Sequence, residues 1–184
     1  MGILGIFEKR KKAAQEYQEK QARLLKLQKL SFINSPDRLV FSEEQIMNAT
    51  NNLIQNDLRI IEDCKNIVMS TIKPDTFFSR LDLLVQKAEH LCKFEGLIQF
   101  AGALPSEALK EVNNEYQIAV KMFLIRYYTN TFEKAQAMKT DKGRINQYVK
   151  FYDSLQSYYP LMNDENKEYI ETKYHLHQSE YEKQ

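Results

Sequence analysis

Apolar residues recur in steps of three and four along most of this chain, and no segment alternates long enough for a convincing strand. One stretch carries Phe77, Leu81, Leu84, Ala88 and Leu91 on a single stripe, with Phe78, Val85 and Cys92 beside it. A later one carries Leu109, Val112, Tyr116, Ala119, Val120, Phe123 and Tyr127; an earlier one carries Ile46, Leu53, Ile60, Cys64 and Ile67. Each is the spacing of a helix that buries one face. Pro36, Pro74, Pro105 and Pro160 punctuate these stretches, each near a residue able to cap a helix. The pattern predicts helices over about 8–31, 43–72, 76–100, 107–139 and 141–159, and a sixth after Asn163. Ser42 with Gln45 three positions on forms a capping-box pattern. Asp75, Ser106 and Asn163 are the expected caps of the third, fourth and sixth helices. Short connections at 73–75, 101–106 and 160–163 favour antiparallel neighbours. The expected fold is all-α: an antiparallel multi-helix bundle of about five core helices over 41–184, preceded over 1–40 by a basic helical arm.

Charge sets the arm apart. Residues 8–30 hold eight Lys/Arg against three Glu, a local charge of +5, and the rest of the chain carries −4. Gln15, Gln18, Gln21 and Gln28 add polarity, and leucines gather only at the arm's end. Its first half therefore has little to bury and is expected to protrude. Tyr17, Leu24, Leu27 and Leu30 form a narrow apolar seam, widened by Leu25 and Phe32, that predicts weak self-association as a two-fold dimer through Tyr17 and Leu24.

The opening residues suggest a second use. Ile3, Leu4, Ile6 and Phe7 have the character of an interfacial segment, and Lys9, Arg10, Lys11 and Lys12 would meet anionic headgroups. The alternative is packing of the same apolar residues on the bundle or on another copy. The myristoylation pattern fails at Ile6, where Ser or Thr is required. No apolar run reaches the ~18–20 residues of a membrane span. A cytoplasmic location is expected, with attachment to an anionic membrane surface as the alternative.

Composition narrows the chemistry. Five Gly in 184 residues leave no nucleotide-binding loop of Walker or dinucleotide type, and neither Gly-x-Ser-x-Gly nor His-Glu-x-x-His occurs. Two Cys, on apolar helical stretches, cannot build a disulfide framework or a four-ligand zinc site. His175 and His177 are two apart, which on a helix turns them away from each other. Neither a metal site nor a cofactor is expected, and an enzyme is not. Arg80 and Arg126 have the forked donors to grip a carboxylate or phosphate, against interhelical pairing for the first and amphipathic packing for the Arg126-Tyr127-Tyr128 run. Lys139, Lys142, Arg144 and Lys150 make a modest basic cluster at a helix junction, where nucleic acid is a weaker expectation than solvent because the net charge is only +1.

Two stretches carry a resemblance. Pro74-Asp75-Thr76-Phe77-Phe78-Ser79-Arg80-Leu81-Asp82 is one; the other runs Lys139-Thr140-Asp141-Lys142-Gly143-Arg144-Ile145-Asn146, through Lys150-Phe151-Tyr152, to Asn166, Tyr169-Ile170-Glu171 and Lys173-Tyr174. Together they resemble an uncharacterised all-helical family of Gram-positive bacteria and their prophages, over about 43–175. Some members of that family join a zinc ribbon, for which this chain lacks the cysteines. The resemblance implies a bacterial cytoplasmic setting and helical structure, and no activity. The functional expectation is a non-enzymatic interaction or scaffold module acting through the arm and the bundle faces. The alternatives are a peripheral membrane protein recruited by residues 1–12 and a prophage or host-defence component meeting nucleic acid or a nucleic-acid enzyme.

Overall fold

A computed structural model of the chain describes residues 3–33, 41–100 and 104–181, with side chains over 11–33, 41–100 and 104–177. Six helices are described: α1 (Ile3–Leu30), α2 (Glu43–Ser70), α3 (Pro74–Cys92), α4 (Pro105–Gln136), α5 (Asp141–Leu155) and α6 (Asp164–Tyr181). A 3₁₀ turn over Gln156–Leu161 joins the last two. The described residues contain no named strand, and the chain is an all-α bundle. Pro36, counted above as punctuation, lies outside the described residues.

The helix starts show which local signals act. Ser42 caps α2 through the expected box: its hydroxyl accepts from the Gln45 N–H, and the Gln45 amide oxygen accepts from the Ser42 N–H. Asn163 caps α6 by accepting from the Asn166 N–H at 3.0 Å. Asp75 and Ser106 are not caps. Pro74 and Pro105 instead occupy the first turns of α3 and α4, where their missing N–H costs nothing. That moves the caps back to Lys73 and Leu104, neither of which offers a side-chain cap. Asp75 is left to accept from the Tyr158 hydroxyl at 2.6 Å, and Ser106 donates its N–H and its hydroxyl to Glu95.

Two clusters form the core. At the C-terminal end of the bundle, Phe77, Phe78 and Leu81 of α3 pack with Val120, Phe123 and Leu124 of α4, and Phe151, Leu155 and Ile170 close over them. Phe77 stacks on Phe123 with centroids 4.2 Å apart. At the other end, Leu27 of α1 meets Ile46 and Ile54 of α2 and Leu91 and Phe94 at the end of α3. Each fully buried side chain of this kind is worth about 1.5–3 kcal/mol relative to leaving it in water. α3 runs through both clusters and its expected stripe is buried whole: Phe77, Leu81, Leu84, Ala88 and Leu91.

α2 is a partial match. Ile46 and Cys64 are buried as expected, but Leu53, Ile60 and Ile67 are half-buried, and Thr50, Ile54, Asp57 and Val68 complete the buried stripe. In α4 only Val120 and Phe123 of the expected stripe are buried, and Tyr127 is half-buried against the same cluster. Leu109, Val112, Tyr116 and Ala119 stay half-exposed, the last three beside a groove that is also lined by α2 and α3.

Candidate functional site

The arm is one unbroken helix whose two halves have different surroundings. Leu27 is fully buried among α2 and α3, and Leu24 and Leu30 pack at the edge of the same cluster. Residues 11–23 are exposed throughout. Lys20 pairs with Glu43 at 2.8 Å, whereas Lys11, Lys12 and Arg23 form no ion pair among the described residues. Tyr17 is 63% exposed, so it stands free as a contact residue; Leu27 does not, which corrects its placement on a self-association seam. The side chains of Ile3, Leu4, Ile6, Phe7, Lys9 and Arg10 lie outside the described ones.

The arm ends in an unusual turn. The Ile33 N–H bonds back to the Gln28 carbonyl and the Phe32 N–H to the Lys29 carbonyl, a Schellman closure with Phe32 at the left-handed position, φ +54°. Glycine is the usual occupant; a residue with a Cβ pays about 1–2 kcal/mol there. The exposed Phe32 ring lies parallel to His90, centroids 6.3 Å apart. Below it is a charged cluster that composition did not reveal. Asp57 of α2, 1% exposed, meets His90 Nδ1 at 2.5 Å and Lys87 Nζ at 2.8 Å, both from α3. The lysine contact is off the hydrogen-bond axis of Oδ1 and acts as an ion pair. Phe94 meets the same imidazole in a T-shaped arrangement, centroids 5.3 Å apart. Among the described residues no Ser or Cys side chain bonds His90, so the cluster holds a carboxylate and two bases but no nucleophile. Its chemistry is to neutralise a buried charge and lock α2, α3 and the end of α1 together.

The basic residues singled out in the sequence are scattered. Arg126 reaches from α4 to the Val68 carbonyl at 2.8 Å, supplying a cation to the C-terminus of α2, whose last turn has none of its own. Burial holds its pKa below the ordinary arginine value, and its Nε has no hydrogen-bond partner among the described residues. Arg80 is exposed on α3 beside Cys64; burial raises that thiol's pKa while the Arg80 charge opposes the rise. Lys139, Lys142 and Lys150 are exposed, and Arg144 is engaged by Asp141 at 2.9 Å and by the Met138 carbonyl. The junction therefore presents separate charges. Tyr128 and Tyr169 do form an aromatic cradle for a cation, but Lys173 of the chain itself sits over both rings. Among the described residues no group of His, Cys, Asp or Glu could hold a metal ion.

What sequence reasoning missed is a groove. α2 and α4 form its walls and α3 its floor. Its wider part, about 450 Å³, is lined by Ile54, Leu58, Ile61, Leu91, Ile98 and Val112 among others. It continues as a further 260 Å³ past Met69, Leu84, Tyr116 and Ala119, the two parts sharing Lys65, Val112 and Glu115. Burial at its wall raises the Tyr116 phenol pKa, with a smaller push from Asp82. A hollow of about 500 Å³ lies instead at the α1–α2 junction beside Phe41, and is lined by Gln21, Leu25 and Gln28. The signal for the groove was present in the α4 stripe, read as wholly buried. No helix among the described residues is long and apolar enough to cross a membrane. No protein-family model, curated protein or solved structure matches the chain, so the resemblance to a Gram-positive and prophage family rests on its two sequence stretches alone.

Proposed function

We propose that this protein is a non-enzymatic helical interaction module that presents α1 to a partner. The observation that carries the reading is the division of that helix: Leu27 anchors its end in the core, and residues 11–23 run into solvent with every side chain exposed. Thirteen residues of exposed helix span about 20 Å, tied to the bundle by the Lys20–Glu43 pair near their end, and an isolated helix is marginal in water. A surface held out in this way is suited to a helix-in-groove contact. The test is affinity capture with the full chain and with a variant lacking residues 2–20, which keeps Leu24 and Leu27. Partners lost with the arm support the reading; identical partner sets remove the arm from it.

A second reading has its own observation. α1 begins at Ile3, so Ile3, Leu4, Ile6 and Phe7 and the basic run 9–12 belong to the same helix that projects from the bundle. That arrangement suits docking on an anionic lipid surface. Flotation with anionic but not neutral vesicles, weakened by salt and by Phe7→Glu, is its expected result; absence of flotation at low salt ends it.

A further inference from the structure

The groove between α2 and α4 is a face the sequence marks for burial and the fold leaves open. Val112, Tyr116 and Ala119 precede the buried Val120 and Phe123 on the same stripe, yet each is half-exposed along the groove. Leu58 and Met69 stand exposed on the opposite wall. An apolar strip of this kind on a helical domain marks a docking surface.

Length and charge specify the occupant. The groove follows α2 from Asn51 to Met69, a rise of about 27 Å. Residues 3–23 of α1 rise about 31 Å. Glu111 and Glu115, one turn apart on α4, line the groove, are exposed, and form no ion pair among the described residues. The arm carries Lys9, Arg10, Lys11 and Lys12 beside the apolar Ile3, Leu4, Ile6 and Phe7. A chain cannot fill its own groove this way: no Pro or Gly interrupts residues 6–30, so α1 is straight up to the point where Leu27 fixes it.

We propose that the groove between α2 and α4 receives the N-terminal half of α1 from a second copy of this chain, the two arms being exchanged about a two-fold axis. This rests on the reading of α1 as a presented helix and names its partner. Apolar residues of the arm enter against Leu58, Val112 and Tyr116, and its basic run meets Glu111 and Glu115. Exchange buries both surfaces that the single chain leaves in water, and the closed symmetry stops assembly at the dimer.

Sedimentation equilibrium over a hundredfold concentration range tests it on the full chain. Four proteins are compared: wild type, the groove variant Glu111→Lys/Glu115→Lys, an arm variant with Lys9, Arg10, Lys11 and Lys12 all changed to Glu, and the combination. The groove positions are exposed, so the fold tolerates the change. Wild type should dimerise, each single-sided reversal should weaken the dimer at least about tenfold, and the combination should restore it. A strict monomer overturns the inference, as does a dimer that ignores the groove reversal, which would mean arm pairing with arm, or a combination no better than its parts. A strict monomer that still captures partners through its arm leaves the interaction-module reading standing. A groove-dependent dimer whose captured partners ignore removal of residues 2–20 does the reverse.

Discussion

Asp57 sits where the α2 stripe asks for a leucine. Its neighbours one turn away on the buried face are Ile54 and Ile61, and its carboxylate is 1% exposed. Burying a charge there is tolerable only because Lys87 and His90, one turn apart on α3, converge on it. Asp57→Asn keeps the shape and removes the charge, leaving two bases facing an amide. Breaking a fully buried pair costs about 3–5 kcal/mol, and the partial exposure of Lys87 should bring this case to about 2–3 kcal/mol. The urea midpoint measures it, and a double-mutant cycle with Lys87→Met should show that the lysine carries part of the loss. An unchanged midpoint would mean the cluster adds nothing to the fold. The position was legible in principle: an Asp in an otherwise apolar stripe signals a buried partner. Which partner was not legible, because Lys87 and His90 are thirty and more residues away and spacing within α3 alone does not align them with α2. Arg126 shows the same limit. Its fork was readable as an anion grip, but the C-terminus of α2 that it serves is assembled only by folding.

Within α1 the sequence contrast between a Lys- and Gln-rich half and a leucine-rich half becomes a mechanical one. Leu27 belongs to the core cluster with Ile46, Ile54, Leu91 and Phe94, whereas Tyr17, ten residues earlier, touches water. Leu27→Ala should therefore lower unfolding free energy by about 2–5 kcal/mol. Tyr17→Ala should change it by less than about 0.5 kcal/mol. Thermal or urea unfolding of the two variants decides this, and equal effects would mean that the exposed half packs on the bundle. Other elements were legible to different depths. The stripe of α3 was read residue for residue, since both its neighbours cover it. The helix starts after Lys73 and Leu104 were misplaced because proline was taken as a separator, when its fixed φ suits the first helical turn. The reading of α3 to about residue 100 failed at Cys92: turns through 93–98, with Gly96 at φ +75°, fold Phe94 back into the core instead of extending the stripe. In α4, periodicity gave the face that is apolar but not whether a neighbour reaches it, and that is the information the groove required.

Over the whole molecule the two core clusters are unequal. The C-terminal one joins α2, α3, α4, α5, α6 and Met162, just past the 3₁₀ turn, through eleven buried residues among those described, ringed by half-buried tyrosines. The N-terminal one has five buried residues among those described and is bounded by the charged cluster at Asp57 on one side and by the open groove on the other. Among the described residues, only α2 and α3 contribute buried residues to both. Fewer buried apolar contacts mean a lower free energy of local opening, so the N-terminal end should open as a unit while the aromatic end stays closed. Native-state hydrogen exchange should grade the amides accordingly. The slowest lie in α3 around Phe77–Leu84, in α4 after Val120 and in α5; α2 before Asp57 exchanges faster, and residues 11–23 of α1 exchange fastest. Leu91→Ala, which thins the N-terminal cluster, should speed exchange in α1 and the start of α2 and leave α5 unchanged. Phe123→Ala, in the aromatic cluster, should raise exchange everywhere, because the N-terminal end has nothing to fold against once that cluster is lost. If Leu91→Ala accelerates α5 as much as α2, the two clusters open together and the molecule is a single cooperative unit. Separate opening would place the weaker end of the bundle where α1 is anchored and the α2–α4 groove is widest, so arm engagement there should slow exchange in both walls of the groove.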